Sequence, residues 1–351
     1  MRTLEGHEEV AAILRVCSDR HGCAALTAGQ LHALGAAGNS DGHLRHLEVG
    51  ESALSKDQKC TKIDITHMPP ADTVAITRVR MSQWPQLQES TTELQLRSCA
   101  FLWAPSTPNF HTSGACEMLN VNKHLRSLSV EDCAIEWQGR VSQRRPLVIV
   151  ASEQARTISV RACVPHDAPQ TLFIDTRACC NLTKLEVHAG VAVEAIGHTS
   201  PTLEDITISK CDDVQEPGPY CRLLATCSKL KRLAFVGERL TTALVDSVST
   251  CGIAVATLDL SGVGCAAGIA PLVTSLDAET VQLSIYMVCK VDAKLAAEGF
   301  DTRDAAISYI CDAVARSGSV HTACLTSAAC GRQAGAEQLA AGLRHVGCRV
   351  E

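Results

Sequence analysis

The sequence predicts an α/β solenoid, in which each short repeat contributes one strand to a parallel sheet. The first observation behind this prediction is a phrase, apolar-x-x-apolar-x-apolar, that recurs along the 351 residues. The second is a helical pattern of apolar residues between the later copies of the phrase. The third is composition: 46% of residues are hydrophobic but only 3% are aromatic, so Leu, Ala and Val must build the core.

The phrase is clearest at residues 124–137, HLRSLSVEDCAIEW. Leu125, Leu128 and Val130 carry the apolar positions, and Cys133 follows them. A spacing of three suits a turn and a spacing of two suits a strand, so each copy predicts a strand with the turn beside it. With the second apolar position as the anchor, copies fall at residues 47, 63, 94, 128, 158, 172, 185, 206, 233, 258, 281 and 323.

The connecting segments differ between the two halves of the chain. In the C-terminal half they carry helical patterns, as in AAISYICDAVARSG, where Ile307, Ile310 and Val314 share one face. Gly318 and Gly252 stand where the ends of such helices favour glycine. Connectors of the N-terminal half contain proline, which breaks helices and predicts loops.

The predicted organisation is a cap followed by one long solenoid. Residues 1–40 include EEVAAILRVC and LTAGQLHALG, which read as amphipathic helices that cover the first repeat or, alternatively, dock a partner. Residues 41–351 form the solenoid, with roughly 11–12 irregular repeats. The last helix, in GAEQLAAGLRHVGC, is predicted to be the C-terminal cap.

These phrases resemble the leucine-rich repeat family. LRSLSVEDCAIEW, LEDITISKCDDV and TELQLRSC are similar to its cysteine-containing variety, and LTSAACGRQAGAEQLAAGL is similar to its ribonuclease-inhibitor-like variety. The resemblance covers roughly residues 40–350. It implies a curved solenoid with short parallel strands on the concave face and helices or loops on the convex face.

Cysteine usage favours a reducing compartment. There are 19 cysteines, an odd number, and no C-x-x-C pair. Buried free thiols that act as small hydrophobic groups account for them better than a disulfide framework. No apolar run is long enough to cross a membrane, and the acidic residues near the N-terminus argue against a targeting peptide. We therefore expect a cytoplasmic protein that does not contact membranes, with the cytoskeleton or a cilium as narrower alternatives.

The residues between the inward-facing strand positions are expected to line the concave face. Their side chains are mixed in charge and mostly small or polar, which suits either a protein partner or a solvated surface. The predicted partner-binding residues are Gln95, Arg97, Ser129, Glu131, Ser159, Arg161, Glu186, His188, Thr207 and Ser209.

The sequence predicts no metal site and no cofactor. Three groups of residues were candidates for metal binding, but none has the paired close spacing of structural zinc sites. The groups are Cys17 with His21 and Cys23, Cys179 with Cys180, and His321 with Cys324 and Cys330.

One glycine-rich stretch offers a rival function. LDLSGVGCAAGIAPL places Gly262, Gly264 and Gly268 one residue away from the dinucleotide-binding spacing. The acidic residue expected at the end of the next strand is missing, because VQLSIYM ends in Tyr286 and Met287. Sequence motifs of P-loop enzymes, serine hydrolases and zinc proteases are also missing. An α/β nucleotide-binding enzyme using Gly262–Gly268 is the alternative to a non-enzymatic protein.

The charge balance completes the functional prediction. A net charge of −6 argues against nucleic acid as the main partner and leaves RNA contact inside an assembly as an alternative. We expect a non-catalytic protein-interaction or scaffolding subunit of a larger intracellular assembly, for example ciliary, cytoskeletal or ribosomal. The resemblance also implies two alternatives, a substrate-recognition subunit of a ubiquitin ligase and an inhibitor.

Overall fold

The computed structural model divides the chain into two compact units, residues 1–182 and residues 183–351. The structure describes residues 23–27, 43–51, 63–66, 68–103, 110–113, 116–120, 123–137, 147–161, 164–165, 172–175, 179–188, 191–194, 202–209, 211, 218–237, 239–288, 292–326 and 333–351. Within the predicted helical cap, Cys23–Leu26 is a strand that pairs in parallel with Leu44–Gly50. The rest of the cap, apart from Thr27, lies outside the described residues and stays a prediction.

The described part of the first unit is built from short strands. In chain order they are β1 (Cys23–Leu26), β2 (Leu44–Gly50), β3 (Ala71–Thr77), β4 (Arg80–Met81), β5 (Glu93–Arg97), β6 (Ala100–Trp103), β7 (Phe110–Ser113), β8 (Cys116–Asn120), β9 (Ser127–Glu131), β10 (Ala134–Trp137), β11 (Leu147–Val150), β12 (Thr157–Arg161), β13 (Val164–Pro165) and β14 (Leu172–Asp175).

Within the first unit these strands form three sheets. Their orders are β1-β2-β3-β5-β9-β12, β4-β6-β10-β13 and β7-β8-β11-β14. The strand pairs are parallel, except that β7 and β8 are antiparallel. Connectors that the sequence predicts as loops therefore hold strands of a second and a third sheet. Pro165 fits this arrangement because it lies in β13, the terminal strand of its sheet, where a missing N–H is tolerated.

A recurring corner carries the chain from the first sheet to the second. Arg78, Ser98 and Asp132 follow β3, β5 and β9 with φ of 56°, 51° and 51°, in the left-handed region. Each of their amides donates a backbone hydrogen bond of 2.8–3.1 Å to the last residue of the next strand in the first sheet. These hydrogen bonds give the backbone amides at the corner a partner, at the point where the strand-to-strand hydrogen bonds of the first sheet end.

Cysteine packs at two of these corners. Cys99 and Cys133 are 0% and 1% exposed. Their Sγ atoms lie 3.3 Å from the carbonyl oxygen of Ile76 and 3.6 Å from that of Leu96, respectively. A small, weakly polar side chain can fill such a space beside backbone groups without leaving an unmet hydrogen bond. The predicted packing role of the cysteine in the repeated phrase is confirmed at both positions.

The second unit alternates strands and helices. Its elements are β15 (Lys184–His188), β16 (Val191–Glu194), β17 (Asp205–Ser209), α1 (Gly218–Ala225), β18 (Arg232–Gly237), α2 (Thr242–Ser249), β19 (Ala254–Val263), α3 (Ile269–Ser275), β20 (Asp277–Ser284), a 3₁₀ turn (Ile285–Met287), α4 (Asp292–Ala297), α5 (Arg303–Ser317), β21 (Thr322–Thr326), α6 (Gln333–His345) and β22 (Arg349–Val350). The sheet order within this unit is β15-β17-β18-β19-β20-β21-β22, and all pairs are parallel.

Helix ends in the second unit follow ordinary capping chemistry. The hydroxyl of Thr302 accepts the Ala305 amide at 3.1 Å at the start of α5. Gly318 ends α5 with φ of 67°, and Gly252 follows α2 with φ of 59°. Both glycines therefore adopt the left-handed conformation that the sequence predicts for them.

Strand register shows which copies of the phrase are equivalent. In the first unit the anchors at Leu47, Leu94, Leu128 and Ile158 share one row, and Val74 of β3, which is not among the predicted anchors, joins them. In the second unit the anchors share one row as well: Leu185, Ile206, Leu233, Leu258, Val281 and Ala323. The anchor side chains of both rows are at most 3% exposed and form the core.

Two copies of the phrase differ from the prediction. Ile63 and Ile65 flank a single bridge between Asp64 and Gln86 and lie in no strand of the first sheet. Leu172 lies in β14, which pairs with β11 of the third sheet. Alternating apolar residues occur on strands of any sheet, so the pattern could not separate these copies from the others. Assigning Leu172 to another sheet explains the short spacings that it introduced.

The fold class is as predicted: an α/β protein with parallel sheets of short strands taken in sequence, as in a leucine-rich-repeat solenoid. The twelve cysteines whose side chains are described are free thiols, which fits a reducing compartment. Within the described part of the chain, none of the helices combines the length and the hydropathy that spanning a bilayer would require.

Candidate protein-binding interface

The polar face of the first sheet is the leading candidate for a functional surface. Successive residues of a strand point to opposite sides of a sheet. In β5, β9 and β12 the second and fourth residues are buried, and the other three are exposed or partly exposed. The side opposite the core therefore presents three parallel rows of polar side chains.

Six of the predicted partner-binding residues form two of these rows. Gln95, Ser129 and Ser159 lie directly across from one another on β5, β9 and β12. The second row is Arg97, Glu131 and Arg161, in the same order of strands. All six side chains are at least partly exposed. The alignment expected from the repeated phrase is confirmed here.

The charged row consists of one carboxylate between two guanidinium groups. Arg97 Nε lies 3.7 Å from Glu131 Oε2, and Arg161 Nη1 lies 3.7 Å from Glu131 Oε1. Both distances exceed the 2.7–2.9 Å of a charge-assisted hydrogen bond. The side chains are 56%, 35% and 49% exposed for Arg97, Glu131 and Arg161, so solvent screens the pairs and they contribute little to stability.

Further hydrogen bonds orient the charged row. Arg97 Nη2 donates to Gln95 Oε1 at 3.1 Å, and Gln95 Nε2 donates to Glu93 Oε1 at 2.8 Å. Thr73 Oγ1 donates to Glu93 Oε2 at 3.2 Å. The side chains of Glu93, Gln95 and Arg97 are thus held in defined directions before any partner binds, which lowers the entropy lost on binding.

The other four predicted residues lie in the second unit and are less accessible. Glu186 pairs with Thr207, and His188 pairs with Ser209, on β15 and β17. Glu186 and Thr207 are only 9% and 7% exposed, although the phrase places them on the polar side of the sheet. Ser209 is partly exposed, and its hydroxyl lies 3.3 Å from the Val187 carbonyl oxygen. The side chain of His188 lies outside the described residues.

The second unit holds an ionic network that the sequence did not reveal. Arg232 Nη1 lies 2.8 Å from Asp205 Oδ1, and Arg232 Nη2 lies 2.5 Å from Asp259 Oδ2. Asp259 also accepts hydrogen bonds from the Ser261 amide at 2.9 Å and the Ser261 hydroxyl at 2.6 Å. Asp259 is 6% exposed. Because these groups already satisfy one another and Asp259 is buried, the network suits structure better than ligand binding.

The acid sensitivity of the second unit should depend on Asp259. Burial by itself would raise the pKa of Asp259, but Ser261 and Arg232 hold that pKa below its ordinary value. The stabilisation is therefore complete above the unfolded-state pKa of about 4 and is lost as pH falls through the lower folded-state pKa. We expect the urea midpoint to fall less steeply below about pH 4 in Asp259→Asn than in the wild type. Asn replacement of the exposed Asp246 serves as the control, and an equal flattening there would contradict the assignment.

Packing accounts for two of the three glycines of the rival nucleotide site, Gly262 and Gly268. A Cβ at Gly262 would lie 2.9 Å from Val236 Cγ2, and one at Gly268 would lie 3.1 Å from Leu240 Cβ. The Ala266 amide, between these glycines, donates to Glu298 Oε2 at 2.9 Å. A carboxylate of the protein thus occupies a backbone donor of the kind that would bind a phosphate.

The candidate metal ligands do not converge where they are described. Across the described residues, no group of three or more His, Cys, Asp or Glu side chains is arranged to hold a metal ion. Cys179 is buried with its Sγ 3.2 Å from the Ser152 carbonyl oxygen, which is a packing position. Cys17, His21 and Cys330, together with the side chain of Cys23, lie outside the described residues.

Comparisons with known proteins add no assignment: no family model, no curated protein and no solved structure matches this chain.

Proposed function

We propose that this chain is a leucine-rich-repeat protein that binds another protein through the polar face of its first sheet, as a non-catalytic scaffold. The row Arg97–Glu131–Arg161 is the observation that carries the proposal. Its charges are at least partly exposed and in register, and Gln95 orients Arg97, yet the three charges contribute little to the stability of the chain itself.

The chemistry of the row suggests the character of the partner. Adjacent strands lie about 4.8 Å apart, so the two arginines stand about 10 Å apart with the glutamate between them. A complementary surface would place carboxylates opposite Arg97 and Arg161 and a cation opposite Glu131. Arginine is enriched at protein interfaces because its planar group binds carboxylates through two hydrogen bonds. Small neighbours such as Ser129 leave room for a partner to approach the charged groups.

The setting of this scaffold follows from the cysteines and from the resemblance. Free thiols suit the cytoplasm, and leucine-rich-repeat proteins occur as parts of large assemblies. Both observations support the proposal that the protein belongs to an intracellular assembly such as a ciliary, cytoskeletal or ribosomal complex. A role without catalysis is supported by the glycines at 262 and 268, whose packing against Val236 and Leu240 explains them without a nucleotide.

Native affinity purification with mass spectrometry tests the proposal. The bait is the full chain, as wild type and as the double variant R97E/R161E, which makes the whole row acidic. A matched double reversal, R316E/R344E, changes two exposed arginines on α5 and α6 of the second unit. We expect R97E/R161E to lose the partner by roughly tenfold or more, and the matched variant to retain it.

Two results would contradict the proposal. One is a partner that both double variants retain equally. That result would show that the polar face of the first sheet does not take part in binding. The other is tight binding of ATP or NAD by the wild-type chain in isothermal titration calorimetry, which would favour the nucleotide-binding alternative. The identity of a recovered partner separates an assembly subunit from a ubiquitin-ligase subunit or an inhibitor.

A further inference from the structure

Two half-buried cysteines meet where consecutive helices of the second unit pack together. Cys221 lies inside α1, and Cys251 follows the end of α2 by two residues. Leu223 and Leu224 of α1 are buried, as are Leu244, Val245 and Val248 of α2, which fixes the two helices in the core. The Cys251 amide donates to the Val248 carbonyl at 3.0 Å, so the backbone after α2 is also held in place.

The sulfur of Cys251 points towards Cys221. Cys251 Sγ lies 3.8 Å from the carbonyl oxygen of Cys221 and 3.3 Å from that of Ser247. Cys221 also contributes to the raised pKa of Cys251, as expected of neighbouring thiols. A disulfide needs a sulfur–sulfur distance of about 2.05 Å, so the two side chains would have to rotate towards each other for the bond to form. Both residues are partly exposed, so a small oxidant can reach them.

We propose that Cys221 and Cys251 are a modification site, at which a hydroperoxide joins α1 to the segment after α2 through a reversible disulfide. The site is independent of the partner-binding face proposed for the first unit. It provides a redox-controlled covalent link between two consecutive repeats of the solenoid.

The reaction has two balanced steps. In the first, the Cys221 thiolate attacks one peroxide oxygen, the O–O bond breaks, and the leaving alkoxide or hydroxide takes up a proton, leaving Cys221 as a sulfenic acid. In the second, the Cys251 sulfur attacks the Cys221 sulfur, the S–S bond forms, and the S–O bond breaks. The departing hydroxide takes the Cys251 proton and leaves as water. Two thiols lose two electrons and two protons, and one peroxide is reduced.

The order of the two cysteines follows from their surroundings. Burial, and then the charge and hydrogen bond of Cys221, raise the pKa of Cys251 to about 11. Cys251 is therefore a poor first nucleophile near neutral pH, because the thiolate is the reactive form. Conversion of Cys221 to a neutral sulfenic acid removes the contribution of Cys221 to this shift, while the larger contribution of burial remains. Cys251 is accordingly the resolving thiol.

The chain contains an internal control for this proposal. Cys99 and Cys133 of the first unit are also neighbours, since the residues that follow them, Ala100 and Ala134, are paired on β6 and β10, but the two cysteines are only 0% and 1% exposed. If closeness alone decided reactivity, both pairs would be linked by oxidant. If access is also needed, Cys221–Cys251 is linked and Cys99–Cys133 is not.

The test treats the reduced, folded full chain with hydrogen peroxide, blocks the remaining thiols and maps linked peptides by tandem mass spectrometry. We expect a Cys221–Cys251 link that is roughly tenfold more abundant than any Cys99–Cys133 link and that disappears with a thiol reductant. In Cys221→Ser and in Cys251→Ser the link must vanish, while circular dichroism shows an unchanged fold. In Cys251→Ser, the sulfenic acid on Cys221 should accumulate and be captured by dimedone.

Either of two outcomes would overturn the proposal. One is oxidation of the exposed Cys180 under conditions that leave Cys221 and Cys251 as separate thiols. The other is a link from Cys221 to a different cysteine that persists in Cys251→Ser. Partner capture is measured on reduced protein, in which the disulfide is absent. A missing disulfide therefore contradicts only the redox proposal, and a lost partner bears only on the proposed interface.

Discussion

Replacing Phe235 with alanine is expected to lower the free energy of unfolding of the second unit by about 4 kcal/mol, the largest effect of any single change considered. Phe235 is the largest of the fully buried side chains in the described part of the chain. It lies in β18 directly across from Ile208 of β17. The tightly packed core relaxes only partly around the lost ring, so a cavity adds to the lost transfer free energy.

The neighbouring residue supplies the control for Phe235. Val236 follows it on the same strand, but its side chain points away from the core and is 41% exposed. Val236→Ala should change the unfolding free energy by less than about 0.5 kcal/mol. Urea denaturation followed by circular dichroism measures both variants. Equal losses from the two variants would mean that the assigned direction of β18 side chains is wrong.

Replacing Arg232 with alanine is expected to cost about 2 kcal/mol of unfolding free energy. The change leaves Asp205 and Asp259 without the guanidinium that neutralises both of them. Removing one member of a fully buried ion pair costs roughly 3–5 kcal/mol. The expected loss is smaller here because the side chain of Arg232 is 35% exposed, so solvent screens the remaining charges.

Lys231 provides a matched comparison for Arg232. Its Nζ lies 2.8 Å from Glu204 Oε2, at the same distance as the Arg232–Asp205 contact. The side chains of Lys231 and Glu204 are 67% and 43% exposed, so Lys231→Ala should cost less than about 1 kcal/mol. The Arg232→Ala loss should also shrink in an Asp259→Asn background, because one unpaired charge is then absent. If Arg232→Ala costs the same unfolding free energy in the wild-type and Asp259→Asn backgrounds, Arg232 and Asp259 do not act through one network.

The strands of the core could be predicted because the signal for them is local. An apolar residue at every second position faces one side of a strand, whatever lies next to it in space. The anchors from Leu94 to Ile158 and from Leu185 to Ala323 therefore reached the right rows. The same locality explains the error at Leu172, since a strand of the third sheet has the same alternation. The spacing between copies shows that the phrase repeats, but it does not show which sheet each strand joins.

The candidate interface could be predicted only in part. Equivalent positions of the repeated phrase align Arg97 with Glu131 and Arg161, and the strand register brings them side by side. Glu186 and Thr207 occupy the same kind of position but are buried, because burial depends on neighbouring side chains across the sheet. No feature of the phrase distinguishes these two cases.

The sequence by itself determined the α/β repeat, the apolar core of the strands and the helices with their capping glycines. These features depend on periodicity and on the conformational preferences of single residues. Tertiary structure alone decided that the described strands of the first unit form three sheets, that Arg232 joins Asp205 to Asp259, and that Cys251 lies against Cys221. Each of these depends on residues separated by some 25 or more positions, whose distance is set by register and packing rather than by local pattern.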